Sequence, residues 1–116
     1  MSYVDGFIVP VPKKKMKAYR DLAELAAKVW KEHGALDYKE CVADDVKVGK
    51  WTSFPRSVDL KPGETVVFSY ILYKSRAHRD RVNAKVMKAM TKEGMPKKMP
   101  FDMKRMVVGG FKVSVG

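Results

Sequence analysis

Apolar residues recur at three- and four-residue spacings between Met16 and Trp30, where Met16, Tyr19, Leu22, Ala23, Ala26, Val29 and Trp30 form one stripe. The stripe predicts a helix over about residues 13–33. Pro12 suits its first turn, where a missing N–H removes no bond, and Gly34 suits a left-handed stop. A second stripe, Val82, Val86, Ala89 and Met90, predicts a helix from Ser75 to Glu93, capped by Ser75 and ended by Gly94 and Pro96. Four further segments, Tyr3–Val9, Leu36–Ala43, Val66–Tyr73 and Met106–Val115, are rich in Val, Ile, Phe and Tyr and read as strands. The order is β-α-β-β-α-β, which predicts an α+β, ferredoxin-like domain with an antiparallel sheet over residues 1–116. The long connection 44–65 has room for a further extended piece around Trp51–Val58, followed by the turn Lys61-Pro62-Gly63-Glu64.

Alternation within the strands carries the most information. One set in the third strand is Val66, Phe68, Tyr70 and Leu72; the other is Val67, Ser69, Ile71 and Tyr73. In the first strand Val4, Gly6 and Ile8 oppose Tyr3, Asp5, Phe7 and Val9. Both faces are largely apolar, whereas an antiparallel sheet with one wet face alternates apolar and polar residues. Two helices cover one face only. A second copy packed face to face, giving a two-fold homodimer, covers the other; the alternative is that Trp51, Phe54 and the Met95–Met103 segment fold over it.

Composition narrows the classes. The 116 residues carry 24 Lys+Arg against 13 Asp+Glu, a formal charge of +11, and 46% hydrophobic residues exclude disorder as the main reading. The charge is uneven: residues 1–73 hold 12 basic and 10 acidic side chains, residues 74–116 hold 12 and 3. Such a patch attracts nucleic acid or other polyanions, although no nucleic-acid motif accompanies it. Asp5, Pro10 and Pro12 break the apolar N-terminus, which argues against a signal segment, and no apolar run is long enough for a membrane helix; a cytoplasmic location is expected. A lone cysteine, Cys41, excludes an internal disulfide and reads as a buried, inert thiol. The two histidines have no ligand spacing, so neither a metal nor a cofactor is expected; His33, in the last helical turn, suits the helix C-terminus.

Candidate chemistry centres on Asp5, a carboxylate among apolar strand residues. It reads either as a general base or ligand anchor with a pKa raised by burial, or as a strand-end partner of Arg105 or Lys104. Asp102 and Arg105 either orient a ligand or brace a turn. Arg76, Arg79 and Arg81 crowd the start of the second helix, as an anion site or a solvated face, and Asn83 lies one turn on. Six of the eight methionines, Met87, Met90, Met95, Met99, Met103 and Met106, fall in the last third, as flexible core filling or as an adaptable apolar lining. Gly109-Gly110 in the last strand fits a close backbone approach.

The chain also resembles a known family. Tyr3-Val4-Asp5-Gly6-Phe7, His33-Gly34-Ala35-Leu36, Glu40-Cys41, Val66-Val67-Phe68-Ser69-Tyr70, Arg79-Asp80 with Asn83, Met99-Pro100-Phe101-Asp102 and Gly109-Gly110-Phe111 look like the YbaA-like family of uncharacterised bacterial proteins. Met103 and Lys74 depart from that pattern, where Gly and Pro are usual. The resemblance implies the dimeric α/β-barrel superfamily, in which two ferredoxin-like subunits pack their sheets together. It leaves the chemistry open, because superfamily relatives include cofactor-independent monooxygenases, isomerases, stress proteins and haem-handling proteins. Three expectations result. The first is a homodimer with a small-molecule pocket between sheet and loops, lined by Tyr3, Asp5, Trp51, Arg79, Asn83 and Asp102, with Asp5 as base or anchor and Arg105 as its electrostatic partner. The second is a polyanion-binding module on the second helix, and the third a structural or stress-associated dimer without ligand.

Overall fold

A computed structural model describes residues 2–93 and 98–116. Strand β1 (Tyr3–Pro12) leads through a 3-10 turn at Lys13–Lys15 into α1 (Met16–Glu32); β2 (Asp37–Val42), a short α2 (Phe54–Ser57), β3 (Glu64–Tyr73), α3 (Arg76–Glu93), a second 3-10 turn at Met103–Arg105 and β4 (Val107–Lys112) follow. The sheet order is β2-β3-β1-β4, and every neighbouring pair is antiparallel. This is the ferredoxin-like α+β arrangement expected from the element order.

Strand β1 continues three residues beyond Val9, through two prolines. Its ladder with β3 extends to Pro12 opposite Glu64, but its ladder with β4 stops at Ile8 opposite Val107. Pro10 and Pro12 therefore lie where β1 has become an edge, the position in which a strand tolerates a missing N–H. Pro12 thus closes the strand and does not open α1. Lys13 N–H donates to the Gly63 carbonyl at 2.8 Å and ties this end to the 61–64 turn.

The segment expected to be extended around Trp51–Val58 instead contains α2. Ser53 Oγ accepts from the Arg56 N–H at 3.2 Å, and Pro55 occupies the first turn. A serine cap followed by proline in the first turn is a helix-start pattern, and it outweighs the β-branched and aromatic content of the segment. At the far end of α1, Gly34 adopts φ +115, as the left-handed stop requires. His33 Nδ1 lies 2.8 Å from the Val29 carbonyl, so this ring closes the helix end. Ser75 Oγ accepts from the His78 N–H at 3.1 Å and caps α3. Gly94 and Pro96, expected to end that helix, lie outside the described residues.

Register brings the two alternating sets together. Tyr3, Asp5, Phe7 and Val9 pair with Tyr73, Ile71, Ser69 and Val67, and this face packs on α1 and α3. Val29 of α1 and Val82, Val86 and Met90 of α3 are buried against it. Val4, Ile8, Phe68, Tyr70, Leu72, Val107 and Phe111 share the opposite face. No described helix covers the middle of that face; α2 reaches only Phe68, where Phe54 packs edge-on at 6.3 Å. Phe111 is 64% exposed and Trp51 84%, so Trp51 does not fold over the sheet. Phe101 packs on Tyr19, on the helix side. Cys41, expected to be buried, is exposed, because it points from edge strand β2 to the open face beside Phe68. No helix among the described residues is long and apolar enough to cross a membrane.

Candidate functional site

Small residues leave a gap between the helices and the sheet. Ala23 and Ala26 of α1 line one side with Ser69 and Gly110 across from them on the sheet, and the gap is a cavity of about 490 Å³. Phe7, Ile71 and Val108 floor it, while Leu22 and Trp30 of α1 and Met87 and Met90 of α3 form its sides. Met99, Phe101, Met103 and Met106 close one end. Its volume and mainly apolar lining match those of small-molecule sites. The expected pocket between sheet and loops is thus a cavity between sheet and helices, with the loop as an end wall. Five of the six C-terminal methionines line it, and Met95 lies outside the described residues.

Two polar groups interrupt the apolar lining. The first is built on Asp5, which is 5% exposed. Arg79 Nη1 donates to Asp5 Oδ1 at 2.7 Å, and Arg79 Nε donates to Asp80 Oδ1 at 2.7 Å. The guanidinium also stacks over the Tyr3 ring, 5.1 Å from its centroid. Tyr3 reaches this position because residue 110 is glycine: a Cβ there would come within 2.8 Å of Tyr3 Cε2. Burial pushes the Asp5 carboxyl above the ordinary carboxylate value, against the opposing pull of Arg79. Beside this pair, Asn83 Oδ1 accepts from Trp30 Nε1 and from the Tyr73 hydroxyl, each at 3.2 Å.

The second group is built on Glu40. Tyr19 donates to Glu40 Oε1 and Tyr38 to Oε2, both at 2.7 Å. Burial, reinforced by the Glu40 charge, pushes both phenols well above their ordinary value, so both stay hydroxyl donors. Glu40, Tyr38 and Val42 share the helix-side face of β2, by the same period of two that singles out Asp5 in β1. Tyr19 sits in the apolar stripe of α1, and a buried tyrosine hydroxyl requires a partner. Those two signals together identify the Glu40 group, which strand-face reasoning restricted to β1 and β3 does not reach.

The cavity gathers three of the residues expected at the site: Asp5, Arg79 and Asn83. Tyr3 stands behind Arg79 as support. Trp51 is not among the lining residues and lies exposed beneath the Lys50 ammonium. Arg105 is not the partner of Asp5; Arg79 is. Arg105 and Asp102 brace the opposite end of the sheet, because Arg105 binds Glu64, which pairs with Pro12, seven residues along β1 from Asp5. That separation is about 23 Å at a strand rise of ~3.3 Å per residue. Arg76 and Arg81 are exposed, unlike Arg79 between them in sequence. Among the described residues no group of three or more His, Cys, Asp or Glu is placed to hold a metal ion.

Fold and cavity together define a ferredoxin-like protein with an internal helix–sheet chamber. A solved dimeric ferredoxin-like protein from an uncultured marine organism matches the whole chain and 99% of its own length, with TM-score 0.60 and 15% identity. The chain belongs to the family described as protein of unknown function DUF1428, whose model matches residues 2–103. Two relatives, each called uncharacterized protein YbaA, come from Escherichia coli strain K12 and Shigella flexneri. Each is 49% identical over 111 residues, covering 96% of this chain and 95% of the relative.

Proposed function

We propose that the protein is a homodimer that binds a small molecule in the chamber between its sheet and its helices. The observation that carries the ligand reading is the 490 Å³ chamber itself, apolar along its walls, with the Asp5–Arg79 and Glu40 groups set into it. Apolar walls supply affinity and a few fixed polar groups supply orientation. Asp5, held protonatable by burial beside Arg79, is the residue best suited to proton transfer if the bound molecule reacts. The open sheet face supports the dimer: Ile8, Phe68, Val107 and Phe111 form an apolar centre, and Asp37, Lys39 and Tyr70 join in a polar rim at β2. The dimeric ferredoxin-like protein of the same fold agrees with that assembly.

A thermal-shift screen of a small-molecule collection, run on the native chain and on Ala26→Phe, tests the ligand reading. Compounds that raise Tm in the native chain and not in A26F are expected; a collection with no such compound favours a dimer without ligand. Light scattering is expected to give twice the chain mass, falling to one chain in Phe111→Lys. A native chain that runs as a monomer overturns the dimer.

A second reading is favoured by the exposed Arg76, Arg81, Lys85 and Lys88 on α3, which suit a polyanion. Titration with duplex and single-stranded nucleic acid at two salt concentrations decides it, because phosphate contacts weaken steeply with salt.

A further inference from the structure

The described lining of the chamber does not share the basic excess of the chain. Although the chain carries +11, the acidic and basic side chains among the described lining residues are Asp5, Glu40 and Arg79, and no lysine is among them. Arg79 is already held by two carboxylates, Asp5 and Asp80, at 2.7 Å each, and so offers little to an anionic ligand. Among the described residues Glu40 has no cationic partner, and its hydrogen bonds come from the neutral hydroxyls of Tyr19 and Tyr38. A carboxylate has about four lone-pair sites, and the two hydroxyls take one on each oxygen. Two acceptor positions remain.

Aromatic rings gather at the same place. Trp30 lies 6.0 Å from Tyr38, and Phe101 packs edge-on to Tyr19 at 5.7 Å. All four rings line the chamber together with Glu40. Ring faces attract cations, and more strongly where water is excluded. The methionine side chains that line the chamber accommodate an apolar body of variable shape.

From this juxtaposition we infer that the chamber takes an amphiphilic organic cation, a protonated amine on an apolar or aromatic body, with its ammonium group against Glu40 and among the Tyr19, Tyr38, Trp30 and Phe101 rings. The inference rests on the reading that the chamber binds a small molecule. It adds the ligand's charge and the side chain that answers it. An anionic ligand, which the overall charge would attract, is excluded at the last step by Glu40.

The test uses three probes of one body: 4-phenylbutylamine, 4-phenylbutanol and 4-phenylbutyrate. In Trp51→Phe, Trp30 is the sole remaining tryptophan of the two, and its fluorescence reports occupancy of the chamber. At 0.15 M salt the screening length is about 8 Å, so surface charge does not set the ranking. The amine is expected to bind roughly tenfold tighter than the alcohol, with the carboxylate weakest, as for a charge-assisted contact. In Glu40→Gln the amine and alcohol are expected to converge to within about twofold. If the probes bind but the amine has no advantage, or keeps it in E40Q, the cation inference is overturned while the chamber remains a binding site. If none of the three perturbs Trp30 at millimolar concentration, the small-molecule reading falls and the inference with it. The ranking with Glu40 intact is decisive by itself should E40Q fail to fold.

Discussion

Arg79 and Arg105 are both arginines that join two carboxylates, and they stand at opposite ends of the same sheet. Arg105 donates from Nε to Asp102, from both terminal nitrogens to Glu64, and from Nη1 to the Val58 and Asp59 carbonyls. The result is a knot that ties the 58–64 turn to the segment before β4. Its hydrogen bonds, and those of nearby backbone N–H groups, hold the Glu64 and Asp102 carboxyls below their ordinary values. Arg79 makes one bond to each of its carboxylates, and Asp5 is left above its ordinary value. The same chemical pairing thus braces a loop at one end and leaves an under-compensated acid at the other. A perturbed acid that borders a cavity is a candidate for chemistry.

Removing each arginine gives the largest expected effect and is the direct way to break the comparison. In Arg105→Met, two carboxylates and two carbonyls lose their donor at once, and Tm should fall by about 10 °C. In Arg79→Met, Asp5 can take up a proton, because it borders the chamber and is already easy to protonate. The fall there should be about half as large. R79M should also alter probe binding, and by more than R105M does at temperatures where that variant is folded. Equal losses of Tm, or a binding defect confined to R105M, would remove the distinction between the two ends.

A finer separation comes from pH, because the carboxyls at the two ends shift in opposite directions. The folded-state pKa of Asp5 lies above its ordinary 3.8, so its contribution is fully favourable below 3.8 and is lost as pH rises through the folded value. The folded-state pKa of Glu64 lies below its ordinary 4.5, so its contribution is present above 4.5 and is lost as pH falls through the folded value. Tm curves between pH 3.5 and 7 should therefore diverge in opposite senses. Relative to the native chain, Asp5→Asn should gain a few degrees on going from acid to neutral pH, and Glu64→Gln should lose a few. Two curves with the same sign would show that Asp5 is compensated as fully as Glu64.

Much of this arrangement is legible in the sequence, and what is not has identifiable physical causes. Period-two alternation places Asp5 on the helix side of β1, and the 3.6-residue stripes place Val82, Val86 and Met90 against it. Asp5 and Arg79 are 74 residues apart, however, and no local pattern indicates which of the 24 basic residues meets it. That choice is made by how far α3 sits from β1. Proximity along the chain favours a brace between Asp102 and Arg105, which forms; it carries no information about Glu64, the second half of the same knot. The chamber itself is a property of volume. Ala23, Ala26, Ser69 and Gly110 are each unremarkable, and they make a cavity only because the fold places them opposite one another.

The smallest expected effect concerns the helix start that carries Arg79. His78 Nδ1 accepts from the Lys74 N–H at 3.0 Å, which requires an unprotonated nitrogen. Burial, aided by Arg81, Lys74 and Lys85, holds this imidazole below its ordinary 6.5. The bond therefore contributes above pH 6.5 and is lost as pH falls through the lower, folded-state value. No histidine stands in the Arg105 knot, so only the Arg79 end should respond in this range. Between pH 7.5 and 5.5 the native chain should lose about 1–2 °C of Tm more than His78→Gln. The Lys74 amide resonance should move with a midpoint below 6.5 in the native chain and stay still in H78Q. A midpoint at or above 6.5 would mean that the cations around His78 do not hold its ring neutral, and the start of α3 would then be no more sensitive to acid than the Arg105 end.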